Sequence, residues 1–334
     1  MSKTETTKIS SLDTKSSSIQ NPPSTYRESL TTHYTEIEYQ AVLDMYNEID
    51  LVNHYGRLLE CRTQAYFVRD IETGLVKVLS KSCHVRFCPF CSRTRGFRIK
   101  KNTANWLKTC THPKFITLTL RHNSLSLKSQ FQRLYDCFRE LRRLKLWKSA
   151  IKGAIWFFEI KYNEKGEWHP HLHVVADGLY LSQSKLSAEW LRLTVDSPVV
   201  DIRSVKDPEK VAEYVSKYAT KPCQLFKLEL PQRIELYNAL KKRRLVGAIG
   251  TAHKARITAK PDFDETKFEK IGQWSTVAGL FGYDENADAI WNAYKTKAPL
   301  DKSFSCYKID YMILGVPPPE EDIRKHIIKE WKLW

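Results

Sequence analysis

Nowhere do eighteen consecutive apolar side chains occur, so the sequence contains no helix suited to span a bilayer. It has no basic, apolar and small-residue succession of a secretory signal at its N-terminus. No basic amphipathic helix with a broad apolar face points to a membrane surface. A soluble, cytoplasmic protein without a membrane partner is expected. Acidic charge is the next shortage: 38 Asp and Glu stand against 54 Lys and Arg, a net +16. Residues 262–334 hold 13 acidic and 10 basic side chains, so the basic excess lies wholly in 1–261. A basic body with 12% aromatic residues has the electrostatic footprint of a nucleic-acid binder. A disulfide framework is also missing, because eight cysteines in a long chain without a secretion signal do not make one. Cys110, Cys137, Cys223 and Cys306 are scattered and read as buried reduced thiols. Large apolar residues are nearly absent from 1–35, which is rich in Ser, Thr and Lys and broken by Pro22 and Pro23. That segment cannot offset its ordering entropy and is expected to be disordered.

What remains is 42% apolar, enough for a real core in one elaborated domain or two. Apolar spacing predicts a helix over 37–59, through Ile37, Val42, Met45, Tyr46 and Ile49. A hairpin follows through Tyr66-Phe67-Val68 and residues 75–79. Cys83, Cys88 and Cys91 come next, with Cys61 across the hairpin. Thiolates at this spacing close a tetrahedral site, so a structural Zn²⁺ is expected on all four, with His84 the rival fourth ligand. Arg93, Arg95, Arg98, Lys100 and Lys101 then line a helix, a basic face suited to phosphate contact. Residues 115–120 alternate as a strand. Residues 129–147 read as an amphipathic helix, 154–162 as a strand, and Asn163-Glu164-Lys165-Gly166 as its turn. A helix over 184–194, a strand over 199–205, a helix begun by Asp207-Pro208, a helix over 225–243 and an edge strand over 245–249 complete the pattern. The economical fold is α+β: a mostly antiparallel sheet with helices on one face, preceded by a small zinc-binding module. The expected divisions are a disordered tail (1–35), a zinc and basic module (36–110), a sheet domain (111–255) and a C-terminal extension (256–334) with no readable motif.

Chemistry concentrates in Trp168-His169-Pro170-His171-Leu172-His173-Val174-Val175. On a strand, His169, His171 and His173 share one face, and Leu172 and Val174 point to the other. Two imidazoles on one strand face make half a metal site. A hairpin with satisfied histidines is the plain alternative. The helix after Asp207 carries Tyr214 and Tyr218 four residues apart, hence on one face. Lys217 and Lys221 each lie three residues beyond a tyrosine, where positive charge would favour phosphate and phenolate. The plain alternative there is aromatic core with an ordinary Glu213–Lys217 pair.

With these motifs in this order, the chain resembles the HUH endonucleases, and within them the rolling-circle replication initiators of small plasmids. Residues 115–120 are similar to the first strand motif and His171-Leu172-His173 to the metal motif. Tyr214-Val215-Ser216-Lys217 matches the tyrosine motif, and the Cys83 to Cys91 stretch is also similar to many such initiators. The resemblance covers about residues 60–250. It implies an antiparallel sheet with flanking helices and nicking of one DNA strand at an origin by tyrosine transesterification. That reaction leaves a 5′-phosphotyrosyl link and a 3′-OH primer; the strand is later rejoined. It implies one divalent ion, Mg²⁺ or Mn²⁺, held by His171 and His173. Glu159, across the hairpin, is the expected third ligand, with His169 its rival and Glu167 behind. Double- and single-stranded origin DNA and a host helicase and DNA polymerase are the implied partners.

The sequence departs from one branch of the family. Where many plasmid initiators place a glutamate four residues before the nucleophile, this chain has Tyr214, and Glu213 is one residue off. The arrangement is more similar to two-tyrosine initiators, with Tyr218 expected to cut first. A transposase of the same superfamily is the runner-up. A zinc-ribbon DNA-binding regulator is the non-enzymatic alternative and would leave His171, His173 and both tyrosines idle.

Overall fold

The structure is a computed structural model that describes residues 21–220, 223–259 and 264–301. Lys221, Cys306 and the Pro317-Pro318-Pro319 break lie outside the described residues, as does the first part of the tail expected to be disordered. The elements are α1 (Tyr26–Leu30), α2 (His33–Glu48), α3 (Val52–Leu59), β1 (Ala65–Asp70), β2 (Val76–Ser80), α4 (Pro89–Leu107), β3 (Lys114–Thr119), α5 (Leu127–Leu141), α6 (Lys145–Ala150) and β4 (Ile151–Tyr162). They continue with β5 (Trp168–Gly178), α7 (Gln183–Thr194), β6 (Val200–Ser204), α8 (Pro208–Thr220), α9 (Leu230–Leu240), β7 (Val246–Gly250), β8 (Phe268–Gln273), α10 (Trp274–Leu280) and α11 (Glu285–Thr296).

The chain is α+β, as expected. A five-stranded sheet runs in the order β6-β3-β5-β4-β7, with every neighbouring pair antiparallel. The β4–β5 hairpin forms because Asn163 Oδ1 accepts from the backbone N–H groups of Lys165 and Glu167, and Gly166 takes φ 80°. Alternation along the strands then sorts side chains between two layers. Ile116, Leu118, Phe158, Leu172 and Val174 pack under α5, α7 and α9. Burying each contributes about 1.5–3 kcal/mol. On the reverse face, Ile155, Phe157 and Val175 pack against α4 and α8. Helices therefore cover both faces, not one, and the second layer is the one that brings α8 over the histidines.

Other departures have local causes. The expected helix over 37–59 is two helices, broken where Asp50 adopts φ 51°. The expected 129–147 helix ends at Leu141 and resumes as α6. The expected disordered stretch to residue 35 is folded in its last part: Thr25 and Glu28 form a capping box on α1, and Tyr26 lies 5.0 Å from Trp274. Within the expected C-terminal extension, residues 264–301 pack against the expected zinc and basic module. Strand β8 pairs with β1, giving a second sheet in the order β2-β1-β8, on which Trp274, Val277, Ile290 and Trp291 form a separate core. Among the described residues, no helix is long and apolar enough to cross a membrane.

Candidate active site and metal centres

Register, more than proximity in sequence, assembles the site. Strand β5 lies between β3 and β4, with His173 opposite Thr117 and Phe157, and His171 opposite Thr119 and Glu159. Residues directly opposite share a face, so these side chains project together toward α8. Glu159 reaches diagonally: its Oε2 lies 2.8 Å from His173 Nε2. The Nδ1 atoms of His173 and His171 lie 3.3 and 3.4 Å from the hydroxyls of Thr117 and Thr119. The two imidazoles are parallel within 2°, with centroids 6.3 Å apart. His169 sits on the same face, but its Nε2 is 2.8 Å from the Leu120 carbonyl and its ring is 3.7 Å from that of His122. Glu167 is in the hairpin turn, where its carboxylate accepts from Asn163.

The electrostatics follow from burial. Loss of solvent, reinforced by the neighbouring His169, pushes His171 down to about 3, so its ring is neutral near pH 7. Burial opposes the charge on Glu159, but the His173 hydrogen bond and Lys161 outweigh it and hold the carboxyl below its ordinary range.

The Asp207 carboxylate caps α8 by accepting from the Lys210 N–H. Ala212, Val215 and Ala219 bury one face of this helix against the sheet. Tyr214 and Tyr218 then stand over His173, with ring centroids 5.6 and 5.4 Å away and 5.3 Å from each other. Tyr218 is part-buried, whereas Tyr214 is 41% exposed and rests edge-on against Phe115. Burial, then the hydrogen bond to Tyr214 and the Glu159 charge, raise the Tyr218 phenol well above its ordinary value. Glu213 does not form the ordinary helical pair with Lys217. Its carboxylate meets Lys100 of α4 at 2.8 Å.

Tyr218 and Lys217 open into a cleft of about 930 Å³, lined also by Glu159, Arg93, Lys100, Lys161, Lys227, Phe97 and Tyr34. The five basic residues of α4 therefore divide. Arg93 and Lys100 face this cleft, Arg95 lies near both Arg86 and Arg98, and Lys101 is exposed. Phe97, 71% exposed, and Tyr34 were not legible as site residues, because aromatic residues at helical spacing usually serve a core. Thr117 and Thr119 were also missed, although the alternation of 115–120 places them on one face.

The second constellation is Cys61, Cys83, Cys88 and Cys91, all buried, with Sγ atoms within 4.8 Å of one another and three pairs at 3.6 Å. Sulfurs bound tetrahedrally at ~2.3 Å from one ion would lie ~3.8 Å apart, so the group can hold a metal such as zinc. Left-handed backbone at His84 and Phe87 folds the loop so that Cys83 meets Cys88, and Pro89 starts α4 directly behind. His84 is exposed, and Cys61 is the fourth member of the cluster. Among the described residues, no other group of three or more such ligand atoms is drawn together this closely, so His171, His173 and Glu159 are a looser set. Cys110, Cys137 and Cys223, expected to be buried, are only half-buried; none is in a disulfide.

Two proteins called "Protein rep", from Bacillus amyloliquefaciens and a Bacillus species, are 32% and 30% identical over 179 and 172 residues. Those matches cover 47% and 46% of this chain, and 53% and 56% of the relatives. A "Protein rep" of Staphylococcus aureus is 28% identical over 177 residues, 48% of this chain and 75% of its own. The chain thus spans about half the length of the Bacillus relatives. No solved structure matches. A family model described as "Replication protein" matches residues 76–294, from β2 through Tyr214 and Tyr218 into α11, and the chain belongs to that family.

Proposed function

We propose that this protein is a rolling-circle replication initiator that nicks one strand of origin DNA with a tyrosine and later rejoins it. The observation that carries the reading is the meeting of Tyr218 with the Glu159–His173 pair beside a basic, aromatic cleft that Tyr218 and Glu159 line. Such a cleft suits a single strand, whose phosphates need cations and whose unstacked bases need ring faces. Arg93, Lys100, Lys161 and Lys227 supply the charge, and Phe97 and Tyr34 the rings. The family match favours replication over transposition.

The residues fit a divalent cation. His171 Nε2 is buried without a hydrogen-bond partner, beside the Glu159–His173 carboxylate–imidazole pair at 2.8 Å. Both Nδ1 atoms face threonine hydroxyls, the outer support that fixes a ligating imidazole. His171, His173 and Glu159 would hold the ion, Mg²⁺ or Mn²⁺, which when bound polarises the scissile phosphate. Tyr218 Oη forms a bond to phosphorus as the bond to the 3′ oxygen breaks. The phenol proton passes through water in the cleft to the departing oxygen, which becomes the 3′-OH. Lys217 stabilises negative charge at the cleft wall. Tyr214, beside Tyr218, is the nucleophile for the second transfer, so no hydrolytic glutamate is needed to end a round.

The test is nicking of supercoiled DNA carrying the region around the gene, with and without divalent ion. His171→Ala/His173→Ala should lose nicking and keep DNA binding, which rests on phosphate contacts. Nicking by that variant in chelator would contradict the metal assignment.

A further inference from the structure

We infer that β6 is a self-complementary edge through which two copies of this chain join their five-stranded sheets into one. Among the described residues, β6 pairs with β3 on one side and with no strand on the other. Its backbone parity is readable. The Val205 N–H donates to the Pro113 carbonyl on the β3 side, while the Val200 carbonyl accepts from the Gln183 side chain. Backbone groups of Val205, Arg203 and Asp201 therefore face β3, and those of Ile202 and Ser204 face outward.

A bare edge of this kind is usually guarded by charge. Here the guard consists of Asp201 and Arg203, joined by a 2.7 Å ion pair with side chains 38% and 76% exposed. In one register that guard becomes a match. If a second copy pairs antiparallel about a two-fold axis through Ile202, the two Ile202 residues exchange backbone hydrogen bonds. Asp201 of each copy then stands opposite Arg203 of the other. These are the non-hydrogen-bonded positions, where facing side chains come closest. Shifting the register by two residues loses this charge pairing. The exposed Val199 and half-buried Ile202 add apolar surface along the same edge.

A two-fold axis perpendicular to the sheet keeps both histidine faces on the same side. Five strand spacings separate β5 from its counterpart, so the two sites would lie roughly 24 Å apart. That consequence for paired nicking rests on the proposed function; the dimer itself does not.

The experiment is sedimentation equilibrium on nucleic-acid-free full-length protein across a concentration series. Wild type should dimerise. Asp201→Arg or Arg203→Asp alone puts like charges opposite each other twice and should weaken the dimer roughly 30-fold. An equimolar mixture of the two variants should recover it. The first variant then presents arginine at both positions and the second presents aspartate at both, so each facing pair is again of opposite charge. The double variant should recover the dimer too. Recovery on mixing also shows that each single variant is folded. A wild type that stays monomeric, or single variants that dimerise as wild type does, would overturn the inference.

Discussion

The Thr117 and Thr119 hydroxyls face the Nδ1 atoms of His173 and His171. Replacing either by Val keeps the shape and removes the contact that orients the ring. Each of Thr117→Val and Thr119→Val is expected to raise the Mn²⁺ concentration needed for half-maximal nicking by ~10–100-fold, with circular dichroism unchanged. Equal metal requirement in the variants and wild type would remove the threonines from the site. His171, His173, Tyr214 and Tyr218 could be read from the sequence because a strand alternates every second residue and a helix recurs near every fourth. Thr117 and Thr119 could not, because their role depends on the β3–β5 register. That register is a pairing of segments more than fifty residues apart. Glu159 was legible across its own hairpin, but its backbone lies opposite His171 while its carboxylate reaches His173.

At the scale of elements, β7 shows how closely the sheet is fitted around the site strands. Gly247 lies opposite Trp156 on β4, and an added methyl group would run into the indole ring. Gly247→Ala is therefore expected to destabilise the fold by ~1–3 kcal/mol, read as a lower midpoint in urea with an unchanged slope. The strand itself was legible from its apolar run; the reason for its glycine was not, because the indole comes from another strand. Helix breaks were similarly hidden. The turn at Asp50 interrupts an apolar pattern that continues on both sides, so periodicity alone joined α2 to α3.

Across the whole molecule, two closures tie distant segments together. Four cysteines gather the loop before α4 against the end of α3, and β8 returns to pair with β1. The cysteine spacing announced the first closure. Nothing local announced the second, since 268–273 reads only as a short segment within an acidic tail. Purified protein is expected to contain about one zinc per chain, and its removal should unfold the surrounding layer. Elemental analysis without zinc would contradict a zinc assignment. Truncation after residue 261 should expose the core around Phe67 and Val76, seen as increased dye binding and early proteolysis near β1 and β2. The basic excess before residue 262 agrees with this division, because the cleft, Tyr214, Tyr218 and the four clustered cysteines all lie there.

The most direct measurement is mass-spectrometric mapping of covalent protein–DNA adducts, formed with Mn²⁺ on single-stranded oligonucleotides tiling the DNA around the gene. Wild type should carry its adduct at Tyr218. Tyr218→Phe should lose first-cut activity, Tyr214→Phe should cut but fail in strand transfer, and the double variant should form no adduct. An adduct that persists in the double variant would show that the nucleophile lies off α8 and contradict the assignment of this site.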